Sequence, residues 1–185
     1  KLGYDFKSLY PNKKTLSSSQ FLLYEEDPKQ FYLEYVLEAR REASKAMMIG
    51  SIFSALHEDR KFNFREELLK IKAPKRIGDL FDEVIKKFPI VPAEIPLKCK
   101  VGEWTLRATL DGFLEDYHTI IENKTGQVEW TQERADFSEQ VTFQAFVHWK
   151  KYGMLPKQII LNWVSTSSRS TQKIITFKTS RSVRA

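Results

Sequence analysis

One stretch near the middle of the chain, Leu110 to Gly126 (LDGFLEDYHTIIENKTG), constrains the fold more than any other. It reads as two short strands, Leu106–Glu115 and His118–Lys124, joined by a tight polar turn at Asp116-Tyr117. A two-residue turn sets Glu115 across from His118. Counting inward along the ladder then sets Asp111 across from Glu122, with both side chains on one face. Lys124, two residues beyond Glu122, projects from that face as well. A four-residue loop keeps this pairing, and a three-residue loop breaks it.

Two adjacent carboxylates repel each other and call for a cation. Hard oxygen ligands with room for water suit Mg²⁺ or Mn²⁺. A lysine beside them can hold a phosphate oxygen or assist an attacking water. Together these groups are the equipment for hydrolysing a phosphodiester. The alternative is a solvated hairpin carrying an ordinary Glu–Lys pair, since charged hairpin tips are common. Against that alternative stand the apolar flanks Leu110, Phe113 and Ile120.

The rest of the chain bounds the class. At 185 residues, with 42% hydrophobic and 13% aromatic residues, it suits one folded domain, 1–185, with a core of its own. Thirty Lys and Arg against 24 Asp and Glu give a net charge of +6, which fits a polyanionic partner. No apolar run approaches membrane-spanning length and no signal peptide opens the chain, so no membrane partner is expected. The single cysteine, Cys99, excludes an internal disulfide and any four-cysteine zinc or iron–sulfur site. It also points to an intracellular, cytoplasmic protein.

In chain order, residues 1–15 are expected to form an irregular arm. Ser17 or Ser18 is placed to cap a helix carrying Phe21, Leu22 and Tyr24. Pro28 starts a second helix with Phe31, Tyr32, Tyr35 and Val36 on one face. Residues 37–45 read as a solvated helical stretch or connector. Gly50 to Arg60 is helical, and residues 61–93 read as a helical insert capping one edge of the site. Glu94, between prolines, is an outer carboxylate of interest. Strands take over from Pro96. Residues 126–137 lack periodicity and read as a loop, in which Trp130 either anchors the loop or stacks on a base. Asp136 is expected to cap a helix over Phe137–Tyr152, stopped by Gly153. Two closing strands, Lys157–Ser165 and Gln172–Thr179, precede an unstructured tail, 179–185.

Asp111-Gly112 followed by Glu122-Asn123-Lys124-Thr125-Gly126 resembles the D…ExK-T-G core of the PD-(D/E)XK nuclease superfamily, in its RecB-like and phage-exonuclease-like branch. The resemblance runs in order from Leu16 to about Thr166. It takes in a serine–aromatic opening, the Gly50 helix, Asp-Gly, ExK-T-G and a Gln helix with Gln140 at the family's Gln position. Three positions depart. Asp27 stands where iron–sulfur members carry Cys, Ser54 where the family has a metal-binding His, and Gln144 where Tyr is usual.

The resemblance implies an α/β, restriction-endonuclease-like core, a small mixed central β-sheet flanked by helices. It implies a Mg²⁺- or Mn²⁺-dependent deoxyribonuclease, acting as an exonuclease or endonuclease in DNA recombination, repair or phage or viral DNA processing. No iron–sulfur cluster is expected. The implied metal ligands are Asp111, Glu122 and the Asn123 carbonyl. Glu58, four residues past Ser54 on the same helix face, is a compensating ligand, and His57 is the alternative to it. The implied catalytic residues are Asp111, Glu122, Lys124 and Gln140, with Lys124 orienting the attacking water. Ser19, Tyr32, Ser54, Thr125 and Gln144 are the implied DNA contacts. The partners are single- or double-stranded DNA and a helicase or recombinase, and a viral protein would act in its host cell. Two rivals remain: a DNA-binding module that cleaves poorly because Ser54 replaces His, and an assembly protein whose helical insert binds a partner.

Overall fold

Ser17 ends a short strand, β1 (Thr15–Ser17), and begins helix α1 (Ser18–Glu26). Its hydroxyl accepts the Gln20 N–H at 3.3 Å, and the Gln20 side chain accepts the Ser17 N–H at 2.8 Å. Two donors orphaned at the helix start are satisfied reciprocally. Asp27 caps α2 (Pro28–Phe31), with Pro28 in the first turn where no N–H is needed, and the chain runs on through a π-helical turn, Tyr32–Val36. There follow α3 (Lys45–Glu58), α4 (Phe64–Lys70), α5 (Lys75–Lys87), β2 (Ile95–Val101), β3 (Trp104–Leu110), β4 (Gly112–Phe113) and β5 (Thr119–Gly126). The chain closes with α6 (Gln132–Asp136), α7 (Glu139–Tyr152), β6 (Gln158–Ser165) and β7 (Ile174–Thr179). This computed structural model describes residues 14–39, 42–59, 61–88, 95–114, 118–169 and 174–182. The expected N-terminal arm, the turn at Asp116-Tyr117 and Glu94 lie outside these, apart from residues 14 and 15.

The architecture is α/β, with two small sheets and flanking helices, and the chain divides into two compact units. The first holds β1, α1, α2 with its π-helical turn, β2 from Pro96, β3 as far as Thr109, and α7. Its sheet has the order β1-β3-β2. β1 runs parallel to β3 with Leu16 beside Leu106, and β2 and β3 form a hairpin turned at Gly102, whose φ of 58° suits glycine. Phe21 of α1 stacks on Phe143 of α7 at 6.3 Å, and buried Phe31 packs against Tyr24 and Tyr35. Gly153, at φ 75°, ends α7 by donating its N–H to the Trp149 carbonyl at 2.8 Å, as the sequence predicts.

The second unit holds α3, α4, α5, β4, β5, α6, β6 and β7, and its sheet has the order β4-β5-β6-β7. β5 and β6 are parallel; β4–β5 and β6–β7 are antiparallel. β6 reads QIILNWVS, and Ile159, Leu161, Asn162, Trp163, Val164 and Ser165 are all buried, as a strand covered on both faces requires. The core beneath it joins Ile52, Phe53 and Leu56 of α3 to Phe64 and Leu68 of α4, Ile77, Phe81 and Val84 of α5, and Val164. Helices α4 and α5, within the expected insert, therefore build the hydrophobic core with α3. No helix among the described residues is long and apolar enough to cross a membrane.

Four local expectations are corrected. The strand expected over Leu106–Glu115 breaks at Asp111: β3 belongs to one sheet and β4 pairs in the other, so there are two sheets where one was expected. Alternation has the same phase on both sides of the break and cannot show which sheet each half joins. The loop expected over 126–137 contains α6, capped by the Thr131 hydroxyl. Asp136 ends α6 and does not cap the following helix, which starts at Glu139. The first residues of the tail are held in place, because Arg181 donates to the Ala135 and Ser138 carbonyls at the end of α6.

Candidate functional site

The hairpin register is the one that places the two carboxylates together. Gly112 pairs with Ile121 and Phe113 with Ile120, and the Leu114 N–H reaches the Thr119 carbonyl at 3.2 Å in the same register. One step further inward sets Asp111 across from Glu122. At the break between the strands, the Asp111 Oδ2 accepts the Asn123 backbone N–H at 2.6 Å. A carboxylate placed where a strand partner's carbonyl would otherwise sit satisfies the ladder donor and keeps its charge beside β5.

Glu122 is only 2% exposed, and its Oε1 lies 2.5 Å from the Lys124 Nζ. Burying a carboxylate demands such a partner, since an unpaired buried charge is costly. Lys124 keeps 27% of its side chain exposed, so its ammonium joins the buried carboxylate to solvent. Two carboxylates and one ammonium leave the cluster one negative charge in excess, which favours a further cation.

The opposite face of β5 holds a polar ladder. Asn162 Nδ2 donates to the Asn123 Oδ1 at 3.0 Å, and the Thr176 hydroxyl donates to the Asn162 Oδ1 at 3.0 Å. These residues are register partners across β5, β6 and β7, so the ladder pins the strand that carries Glu122 and Lys124. Sequence reasoning missed Asn162 and Thr176. The available signal was one Asn inside the apolar run of β6.

Helix α3 approaches the far end of β5 at Gly50. A Cβ there would lie 3.5 Å from the Thr125 Oγ1, an ordinary van der Waals contact that marks where the helix packs on the strand. Ser54, one turn on, is exposed, and so is Glu58, the last residue of α3. His57 is buried, 6% exposed, edge-on to Phe53 at 4.7 Å and beside Phe88. Among the described residues no group of three or more His, Cys, Asp or Glu side chains is placed to hold a metal ion. Neither Glu58 nor His57 therefore completes a three-residue cluster with Asp111 and Glu122, and Glu58 is not brought to the expected ligand set. His57 faces the core because its helix position falls between Phe53 and the α5 contacts.

Ser19, Tyr32, Gln140 and Gln144 belong to the first unit. Ser19 is exposed, its hydroxyl 3.1 Å from that of Ser17, and Tyr32 is 36% exposed. Gln140 is half-buried. Gln144, expected at the nucleic acid, is wholly buried, and its Nε2 donates to the Thr109 carbonyl at 3.3 Å. It holds the end of β3 instead, because a buried amide must spend its donors inside the protein.

No known protein family matches the sequence, and no curated protein does either. Among solved structures, a candidate exonuclease from Eubacterium rectale superposes with a TM-score of 0.63 at 13% identity, over 96% of this chain and 77% of that one. The structure of SSO0001 follows at a TM-score of 0.32 and 14% identity, over 90% of this chain and 79% of that one; it is too remote to add to the argument. The chain therefore shares its fold with the Eubacterium rectale protein.

Proposed function

We propose that this chain is a metal-dependent nuclease of the PD-(D/E)XK type that hydrolyses phosphodiester bonds in DNA. The observation that carries the reading is a buried Glu122 bonded to Lys124, across from Asp111 in the register, on a hairpin whose sequence reads D-G…E-N-K-T-G. The likeness to a candidate exonuclease supports it at the level of fold.

The donor set fits a hard divalent ion. Asp111 and Glu122 supply carboxylate oxygens, the Asn123 carbonyl adds a third oxygen, and the cluster's excess negative charge favours Mg²⁺ or Mn²⁺. When bound, such an ion offsets the charge on the phosphate and makes water a better nucleophile at neutral pH. The protein's own residues do the rest. Lys124 orients the attacking water through its Nζ, which Glu122 holds in place. The Asn123–Asn162–Thr176 ladder fixes the strand, so the reacting groups meet at a defined distance. Water oxygen bonds to phosphorus as the P–O bond to the leaving sugar oxygen breaks. Thr125, beside Lys124 on β5, and Gln140 of α7 are the proposed nucleic-acid contacts.

A second reading is favoured by one observation, the absence of a third His or carboxylate beside the pair among the described residues. On that reading the chain binds DNA but cleaves slowly. One assay tests both: end-labelled single- and double-stranded DNA incubated with Mg²⁺, Mn²⁺ or chelator. Metal-dependent cleavage supports the nuclease, retention without cleavage supports the binding module, and neither refutes both.

A further inference from the structure

Between α4 and α5 lies a cleft of about 200 Å³ that the nuclease reading does not use. Its lining is mostly apolar: buried Leu68 and Gly78, Ala73 and Pro74 of the turn, and Leu69, which is 75% exposed. One exposed leucine is ordinary on a protein surface, but a leucine that lines a cleft beside further apolar groups marks a place to dock. The space is that of about six or seven water molecules at ~30 Å³ each, room for one large apolar side chain. Sites for whole small molecules run to about 300–1,000 Å³, so the cleft suits the anchor of a larger partner better than a cofactor.

The charged groups that line it, Arg65 and Lys75, are both cations, and among the described residues no carboxylate lines it. Arg65 is held in place by its neighbours. Its Nη2 donates to Asp82 and, at 3.4 Å, to Asp79, while its Nη1 lies against Gly78, where a Cβ would come within 3.0 Å. Glu66 and Glu67 are bound to Lys70. These pairs engage the nearby carboxylates and leave out Lys75 and Arg76, which open α5 with no acidic residue in its first turn. That end of α5 is the positive end of its macrodipole, so the helix itself does nothing to offset the two cations. Lys45, whose Nζ donates to the Lys72 carbonyl at 3.2 Å, adds another ammonium at the turn. The surplus charge is positive, yet leucine and proline offer nothing to a phosphate backbone, which is met by hydrogen-bond donors.

We propose that this cleft docks an acidic segment of a partner protein. One large apolar side chain of the segment sits between α4 and α5, and its flanking carboxylates meet Lys75 and Arg65. An apolar anchor supplies most of the binding energy in such a contact, while the cations read the acidic flanks. The whole lining comes from α4, α5 and the turn between them, within the second unit, so the surface stands whether or not the hairpin cleaves DNA.

A phage-displayed library of short random peptides, selected against the full chain, tests it. Enriched peptides should carry a large apolar residue beside Asp or Glu, and are then synthesised with a fluorescent label. Leu69→Ser and Lys75→Glu alter the cleft at exposed positions and leave the core untouched. Leu69→Ser should weaken peptide binding by about 5-fold or more and keep its salt dependence, since it removes apolar contact alone. Lys75→Glu should weaken it by about 10-fold or more and flatten the salt dependence, since it turns an attraction into a repulsion. A peptide with Lys in place of its acidic residues should bind Lys75→Glu better than wild type, a rescue that mere misfolding would not give. Failure to enrich any peptide, enriched peptides without acidic residues, or equal binding by wild type and both variants would overturn the proposal. So would displacement of the peptide by an oligonucleotide, which assigns the cleft to nucleic acid. A wild-type dimer that Leu69→Ser dissolves would overturn it too, by assigning the cleft to a second copy of this chain.

Discussion

Removing the lysine of the cluster should cost stability as well as activity, and the two losses can be separated. Lys124→Ala strips the 2.5 Å partner from a carboxylate that is 2% exposed. Breaking a fully buried ion pair costs about 3–5 kcal/mol. Lys124 is 27% exposed, so water already screens part of that interaction, and about 2–3 kcal/mol is expected. For a chain of this length that corresponds to a fall in Tm of about 4–12 °C. Glu122→Gln should cost about 1 kcal/mol or less, because the amide fills the same space without the charge. The double variant should then recover about 1–2 kcal/mol relative to the sum of the two single losses. Urea unfolding followed by tryptophan fluorescence measures all four proteins. Strict additivity would refute the reasoning, since it would mean that Glu122 and Lys124 do not depend on each other in the folded state. Activity should behave differently: none of the three variants should cleave DNA, however stable the double variant becomes.

Three further outcomes are expected. Asn162→Ala leaves the Asn123 amide oxygen and the Thr176 hydroxyl without their shared partner, so it should cost about 2–4 kcal/mol in urea unfolding; a loss below about 1 kcal/mol would deny the ladder its role. The Asp136 carboxyl is held below the usual carboxylate range, first by the Thr179 hydroxyl and then by the Gln132 amide. Its contribution is therefore present above about pH 4, the unfolded value, and is lost as the pH falls through its lower folded value. The stability gap between wild type and Asp136→Asn should close over that range, and a gap independent of pH would contradict it. Ser54→His should raise Mn²⁺ affinity in calorimetric titration if the α3 face one turn past Gly50 borders the metal; unchanged affinity would place Ser54 outside the site.

Much of the first unit, and β6 of the second, was legible because the signals are local. The Ser17 cap, Pro28 in a first turn, Gly153 as a helix stop and the apolar run of β6 each act through neighbouring backbone. The pairing of Asp111 with Glu122 was legible for the same reason, since a hairpin register follows from its turn. What was hidden depends on partners far away in sequence. The break at Asp111 is set by which sheet each half joins, and α6 is a single short turn held by Arg181 and Lys178 across many residues. Gln144 looked like a substrate contact, but its role is set by the Thr109 carbonyl 35 residues away. Glu58 and Ser54 were placed by family resemblance, and no helix period shows which side of α3 meets β5. That side is marked by Gly50 against Thr125.

The account rests on Asp111, Glu122 and Lys124 acting together on a phosphodiester. Its most direct test is cleavage of end-labelled DNA in Mn²⁺ by the wild-type chain and by Asp111→Asn, with binding to the same DNA measured in chelator. Asp111→Asn keeps an oxygen able to accept the Asn123 N–H but removes the charge that a divalent ion needs. The account predicts Mn²⁺-dependent cleavage by the wild type and none by Asp111→Asn, with DNA binding in chelator preserved in both. Equal cleavage by both proteins, or cleavage by the wild type that persists in chelator, would contradict it.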